Sequence, residues 1–180
     1  MKKMKAKALF SSLILTLICG ITSADVLAAS QEAEVRVVVQ RVFEQLKTKD
    51  YSSLYDLLPS SSRNRMSRER FTNALAKAQG VYVLNRMDVG AVHVANDIAV
   101  VDTVLYGKLV KPFDAEGKIV VQQYLVREAG KWRVATGDSG TTRRFLAGNP
   151  EFGRKFPIKQ PRIYMKRNGT WVEFKPANAR

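Results

Sequence analysis

The chain has 180 residues, 30 Lys and Arg against 16 Asp and Glu, a formal net charge of +14, and one cysteine. That length suffices for one self-sufficient hydrophobic core. A lone cysteine excludes an intrachain disulfide framework and a multi-thiolate metal site.

The chain opens with the grammar of a secretory leader: Lys2, Lys3, Lys5 and Lys7, then an apolar run from Leu9 to Ile21, then small residues ending in Ala28-Ala29. The apolar run spans roughly 20 Å as a helix, short of the ~30 Å hydrocarbon core of a bilayer, which favours a cleaved segment over an anchor. Cleavage is expected after Ala29 or Ala28, with Ala24 a weaker option, so residues 1–29 read as signal peptide and the location as periplasmic or extracellular. Cys19 would leave with the leader, and Ile18 before it does not fit a lipoprotein site. Loss of four lysines and Asp25 leaves 26 basic and 15 acidic residues, a net of +11, of which +8 lies from Arg143 onward.

Helical periodicity dominates the next stretch. Val35, Val38, Val39, Val42, Phe43 and Leu46 form one apolar stripe within a helix expected over Glu32–Lys49, with acidic residues in its first turn and lysines in its last. Asp50 is placed to cap a short helix carrying Tyr51, Leu54, Tyr55 and Leu58, stopped by Pro59. Ser60-Ser61-Ser62 reads as a linker. Ser67 is expected to cap a third helix with Phe71, Ala74, Leu75 and Ala78 on one side and Gly80 at its end.

The period then changes to that of strands. Val81–Val94 is rich in β-branched residues, and Asn96-Asp97 turns the chain into Ile98–Tyr106. Lys108–Gly117 reads as a loop, Ile119–Arg127 alternates, and Glu128-Ala129-Gly130-Lys131 returns the chain into Trp132–Ala135. Short turns require antiparallel pairing, and a sheet with one apolar face needs the helices as its cover.

On three features, residues 32 to 136 resemble the NTF2-like superfamily. These are the Val35–Leu46 stripe, the Asp50-Tyr51-Ser52-Ser53-Leu54-Tyr55 junction, and the Gly130-Lys131-Trp132-Arg133-Val134 strand. The resemblance implies an α+β cone, in which a curved antiparallel sheet wraps N-terminal helices and leaves a pocket at its open end. It implies no particular reaction, because the fold hosts enzymes and binding domains alike.

Residues 137 to 180 fall outside the resemblance and read as a basic C-terminal extension. Glycines and prolines from Gly137 to Gly153 suggest a loop around a short Arg143–Ala147 turn. Arg162–Arg167, Asn168-Gly169 and Thr170–Phe174 give a strong β-hairpin signal. It echoes the earlier hairpin at Tyr124–Trp132, and both tryptophans are expected to pack under their own turns.

Candidate chemistry is sparse. His93 is the only histidine, and Asp102 interrupts an apolar strand. Facing the cone, either could act as a general acid or base; a structural histidine and an outward or paired carboxylate are the plainer readings. Tyr106 and Tyr124 are candidate ligand-binding groups on the strands. Arg162, Lys166 and Arg167 flank one hairpin turn and are candidate anion-binding residues; the Arg63–Arg70 stretch is a weaker one. No metal site and no cofactor motif is present in the sequence.

The expected function is an exported, non-enzymatic binding or interaction module. Its partner would be a protein or a small apolar ligand, with the basic tail touching an anionic envelope surface. Export argues against nucleic acid as partner, and the oligomeric state is open, a dimer included. Two alternatives stand beside this reading: a small dehydratase, isomerase or hydrolase using Asp102 or His93, and a structural subunit of an envelope or secretion complex.

Overall fold

The computed structural model describes residues 23–78, 80, 82–110 and 114–174. The lysine cluster and apolar run of the leader lie outside the described residues, as do residues 111–113 of the expected loop and the tail beyond 174.

Among the described residues four helices come first: α1 Ser23–Lys47, α2 Tyr51–Asp56, α3 Ser60–Arg65 and α4 Arg68–Ala78. Strands β1 Tyr82–Ala95, β2 Ile98–Leu109, β3 Ala115–Glu128 and β4 Lys131–Val134 follow. Two helices, α5 Ser139–Ala147 and α6 Pro150–Lys155, then lead to β5 Arg162–Arg167 and β6 Thr170–Phe174. The six strands form one antiparallel sheet in the order β1-β2-β3-β5-β6, with β4 paired to β3. The register leaves β4 and β5 in succession along one side of β3, at residues 125–128 and 117–120. Helices first and a curved antiparallel sheet after is the α+β arrangement that the resemblance implied.

Local chemistry explains most boundaries. Asp50 caps α2, its carboxylate accepting from the Ser53 N–H at 3.1 Å. Ser67 does the same for α4 through the Arg70 N–H at 3.3 Å. Asn168 (φ 49°) and Gly169 (φ 79°) supply the left-handed pair that a two-residue hairpin turn requires. Ala129 and Gly130, at 48° and 74°, make the same turn between β3 and β4.

Several expectations are corrected. Among the described residues α1 is already helical at Ser23, ahead of Glu32, and Ala24, Leu27, Ala28 and Ala29 are good helix formers. Ser60–Ser62 opens α3 and is no linker: Pro59 stands at its N-cap, where its fixed φ suits a helix start. The short turn and loop expected over 137–153 fold as α5 and most of α6. Trp132 packs in the core against α1, not under its turn, and Trp171 lies edge-on to Tyr106.

The sheet is covered on both faces. On the concave face, Val35 and Val39 of α1 pack on Val92, Ala99, Val101, Leu125 and Trp132. Val42 meets Leu54, Leu57 and Val134 beside them, with Phe71 and Leu75 of α4 at the margin. On the outer face, Ile98, Val100, Tyr124 and Val126 are buried under Phe145, Leu146, Phe152 and Phe156 of the α5–α6 segment. The C-terminal residues therefore share a core with the sheet.

One polar clasp joins the two layers of helices. Asp138 caps α5, accepting from the Thr141 N–H at 3.0 Å and its hydroxyl at 2.8 Å. It also accepts from the Ser62 hydroxyl and the Arg65 guanidinium of α3. Burial raises its pKa, but those hydrogen bonds and the Arg65 charge outweigh burial and bring it down to about 2.

Two outcomes follow from this architecture. Phe43 is 4% exposed; Phe43→Asp should abolish cooperative unfolding in circular dichroism. An unpaired buried carboxylate costs several kcal/mol, against a typical total stability of about 5–15 kcal/mol. For Asp138, the folded pKa lies below the usual unfolded value of about 3.9. Its stabilisation is therefore complete above that value and is lost as pH falls toward about 2. Asp138→Asn should melt below the wild type at pH 7, and the gap should close over that acid window in paired thermal melts.

Candidate functional site

The strands outrun their helical cover. The part of α1 that packs in the core, Val35–Leu46, is roughly 17 Å long, whereas β1 and β3, at 14 residues each, extend to about 45 Å. Beyond that stretch no described α1 side chain lines the concave face, and a trough of about 350 Å³ lies there. Its walls are Leu84, Leu105, Leu109, Ile119, Ile163 and Met165, with Phe174 and Tyr82 at the ends.

Parity fixes these walls. Leu105 pairs with Ile119, Ile119 with Ile163, and Gly117 with Met165, so side chains from β2, β3 and β5 share one face. β1 joins them through a bulge between Leu84 and Arg86, where Asn85 is the extra residue. The bulge returns Leu84 and Tyr82 to the concave side while Arg86 points outward with Tyr106. Gly107 is required at this crossing, because a Cβ there would stand 2.4 Å from the Val83 carbonyl oxygen.

The outer face of the same region is polar and cationic. The Arg86 guanidinium lies 4.1 Å from the centre of the Tyr106 ring, and the Lys118 ammonium 4.7 Å from Trp171 and 5.1 Å from Tyr164. Tyr106, a ligand-binding candidate, therefore belongs to this layer and not to the trough. Of the three anion-binding candidates, Arg162 stands 5.8 Å from the Tyr164 ring. Lys166 pairs with Glu116 at 2.8 Å and lies 5.9 Å from Trp171. Arg167 is exposed at the turn.

His93 and Asp102 both sit on the outer face, away from the cone. His93 pairs across the ladder with Val100 and stacks on Phe156, with ring centres 4.3 Å apart and planes at 22°. Asp102 is exposed and accepts from the Gln122 side-chain amide at 3.2 Å. The Tyr124 hydroxyl lies 3.1 Å from the Gln122 amide oxygen and 2.9 Å from the Pro157 carbonyl. Burial pushes its pKa up, and the nearby Asp102 charge adds to the rise. Asp102, Gln122 and Arg162 line a polar cleft of about 750 Å³ with Asp88, Lys159 and Gln160. The arrangement gives Asp102 a partner but brings His93 to a different neighbour, so the two form no acid–base pair. Gln122 and Gln123 point to opposite faces, as alternation demands, and Gln123 is buried on the concave side. Among the described residues, no group of three His, Cys, Asp or Glu could hold a metal ion.

The sequence reasoning missed the trough residues. Their signal was present in the apolar odd-numbered positions Leu105, Ile119, Ile163 and Met165, on strands too long for the helices available to cover.

The sequence matches no protein-family model and no curated protein. Among solved structures, it is similar to an NTF2-like protein of unknown function from Pseudomonas putida, at 15% identity and a TM-score of 0.45, covering 59% of this chain and 82% of that one. A candidate NTF2-like transpeptidase from Campylobacter jejuni aligns at 14% identity and a TM-score of 0.40, over 55% and 94% of the two chains. Aln2 from a Streptomyces species aligns at 14% identity and 0.42, over 58% and 85%.

Tyr124 offers a test of the outer face. Tyr124→Phe removes the hydroxyl that meets Pro157, and thermal or denaturant unfolding should show a loss of about 1 kcal/mol, the net worth of one hydrogen bond.

Proposed function

We propose that this chain is an exported, non-enzymatic binding module that takes apolar groups into the concave trough of its sheet. The observation that carries the reading is the trough itself, about 350 Å³ with walls of Leu, Ile and Met, in the size range of small-ligand sites. The position of His93 and Asp102 on the opposite face supports binding over catalysis. The leader grammar of the first 29 residues supports export, and among the described residues no helix is long and apolar enough to cross a membrane.

Titration with the fluorescent apolar reporter N-phenyl-1-naphthylamine tests this. The protein should bind it saturably with a blue-shifted emission. Leu105→Arg or Ile119→Arg should weaken binding by on the order of tenfold, equivalent to about 1.4 kcal/mol, while leaving the melting temperature near that of the wild type. Equal binding by wild type and both variants, or none by the wild type, would overturn the reading.

A further inference from the structure

On its β6 side the trough is lined by Phe174 and lies beside an edge of the sheet. β6 is the terminal strand of the order β1-β2-β3-β5-β6, paired among the described residues with β5 alone. Met165 lines the trough, and its cross-strand neighbour Val172, on β6, is 45% exposed.

The hairpin's own geometry says which backbone groups face outward. A two-residue turn makes Arg167 and Thr170 a hydrogen-bonded pair, and antiparallel pairs alternate from there. Val172 therefore directs its N–H and C=O to Met165. Trp171 and Glu173 fall at the non-hydrogen-bonded positions and direct theirs away from β5, to the outer edge. Edges of this kind are templates for another strand unless the protein blunts them. The opposite edge, β1, is blunted by two bulges, one near Leu84 and one between Val89 and Val92. β6 pairs with β5 in unbroken register, and its Thr170–Phe174 segment contains neither proline nor lysine.

Charge narrows the occupant. The hairpin carries Arg162, Lys166 and Arg167 against Glu173, with Lys118 beside Trp171 on its outer face. A second copy of this hairpin would bring like charges together. An acidic strand would meet one negative charge, Glu173, among these cations.

Building on the trough as the binding surface, we propose that β6 accepts an extended peptide as a seventh strand, in which apolar and acidic residues alternate. Its backbone pairs with the edge-facing groups of Trp171 and Glu173. Its apolar side chains lie beside Val172 over the trough; on the outer face one carboxylate lies beside Trp171, toward the Lys118 ammonium over that ring, and the next lies beside Glu173, whose charge opposes it. Main-chain pairing supplies affinity and the alternate side chains supply selectivity.

The test uses a dye-labelled, end-blocked peptide, Glu-Leu-Glu-Val-Glu-Leu-Glu, titrated by fluorescence anisotropy. Saturable binding is expected, falling by on the order of tenfold between low salt and 0.5 M as screening shortens the reach of the charges. Glu173→Pro removes one edge-facing N–H together with a repelling negative charge, yet should weaken peptide binding by on the order of tenfold and spare naphthylamine binding. The same peptide N-methylated on alternate residues should lose binding to the unaltered protein, whatever the proline does to the hairpin. Naphthylamine binding without peptide binding would overturn the strand proposal and leave the trough reading standing; failure of both would overturn both. Equal binding of plain and N-methylated peptides, salt-sensitive binding of anionic phosphatidylglycerol vesicles in place of the peptide, or self-association by sedimentation would each overturn the seventh strand.

Discussion

Strand length against helix length is the constraint on which this molecule turns. A residue extends the chain by about 3.3 Å in a strand and 1.5 Å in a helix. The long strands therefore carry apolar surface beyond the stretch of α1 that packs on them. At one end the deficit is met twice, by α1 on the concave face and by α5–α6 on the outer face. At the other end the outer face is finished with cations laid over aromatic rings. The concave face there remains apolar and open. The proposed binding surface is the part of the sheet that no described helix side chain lines.

Side-chain parity turns that constraint into chemistry. A β-strand with period two offers each face every second residue, and a single-residue slip exchanges the faces. The bulges in β1 are such slips, introduced locally. Without the one at Asn85, Arg86 and Leu84 could not both sit where they do. The guanidinium would share a face with Leu105, or the leucine would share one with Tyr106. The same alternation separates Gln122 from Gln123 and keeps Asp102 out of the cone.

The parts of the fold governed by local rules were legible in the sequence: the α1 stripe, the Asp50 cap, the Asn168-Gly169 turn and the antiparallel strands each have a short-range signature. What escaped was decided by partners far along the chain. Ser60–Ser62 reads as a linker until Asp138 appears 76 residues from Ser62 and accepts its hydroxyl. The α5–α6 region reads as loop because its glycines and prolines mask the few aromatic residues that cover Ile98 and Val100. Tyr106 looked like a pocket residue because tyrosine suits either face of a strand, and only the register with Lys118 chooses between them. The trough needed a comparison of lengths between elements, which no single motif contains.

β5 has a consequence for how the molecule is assembled in time. It pairs with Gly117–Val120 of β3, yet it is made more than 40 residues later, and Ile163 and Met165 form one wall of the trough. A chain emerging N-terminus first can build its helices and the β1–β4 meander while that wall is still missing. Loop closure over such a distance is slow relative to hairpin formation. The last strands to arrive are also those that finish the trough. A chain interrupted before residue 162 would thus hold the apolar concavity with one side open to water, the condition under which unfinished proteins meet chaperones or one another.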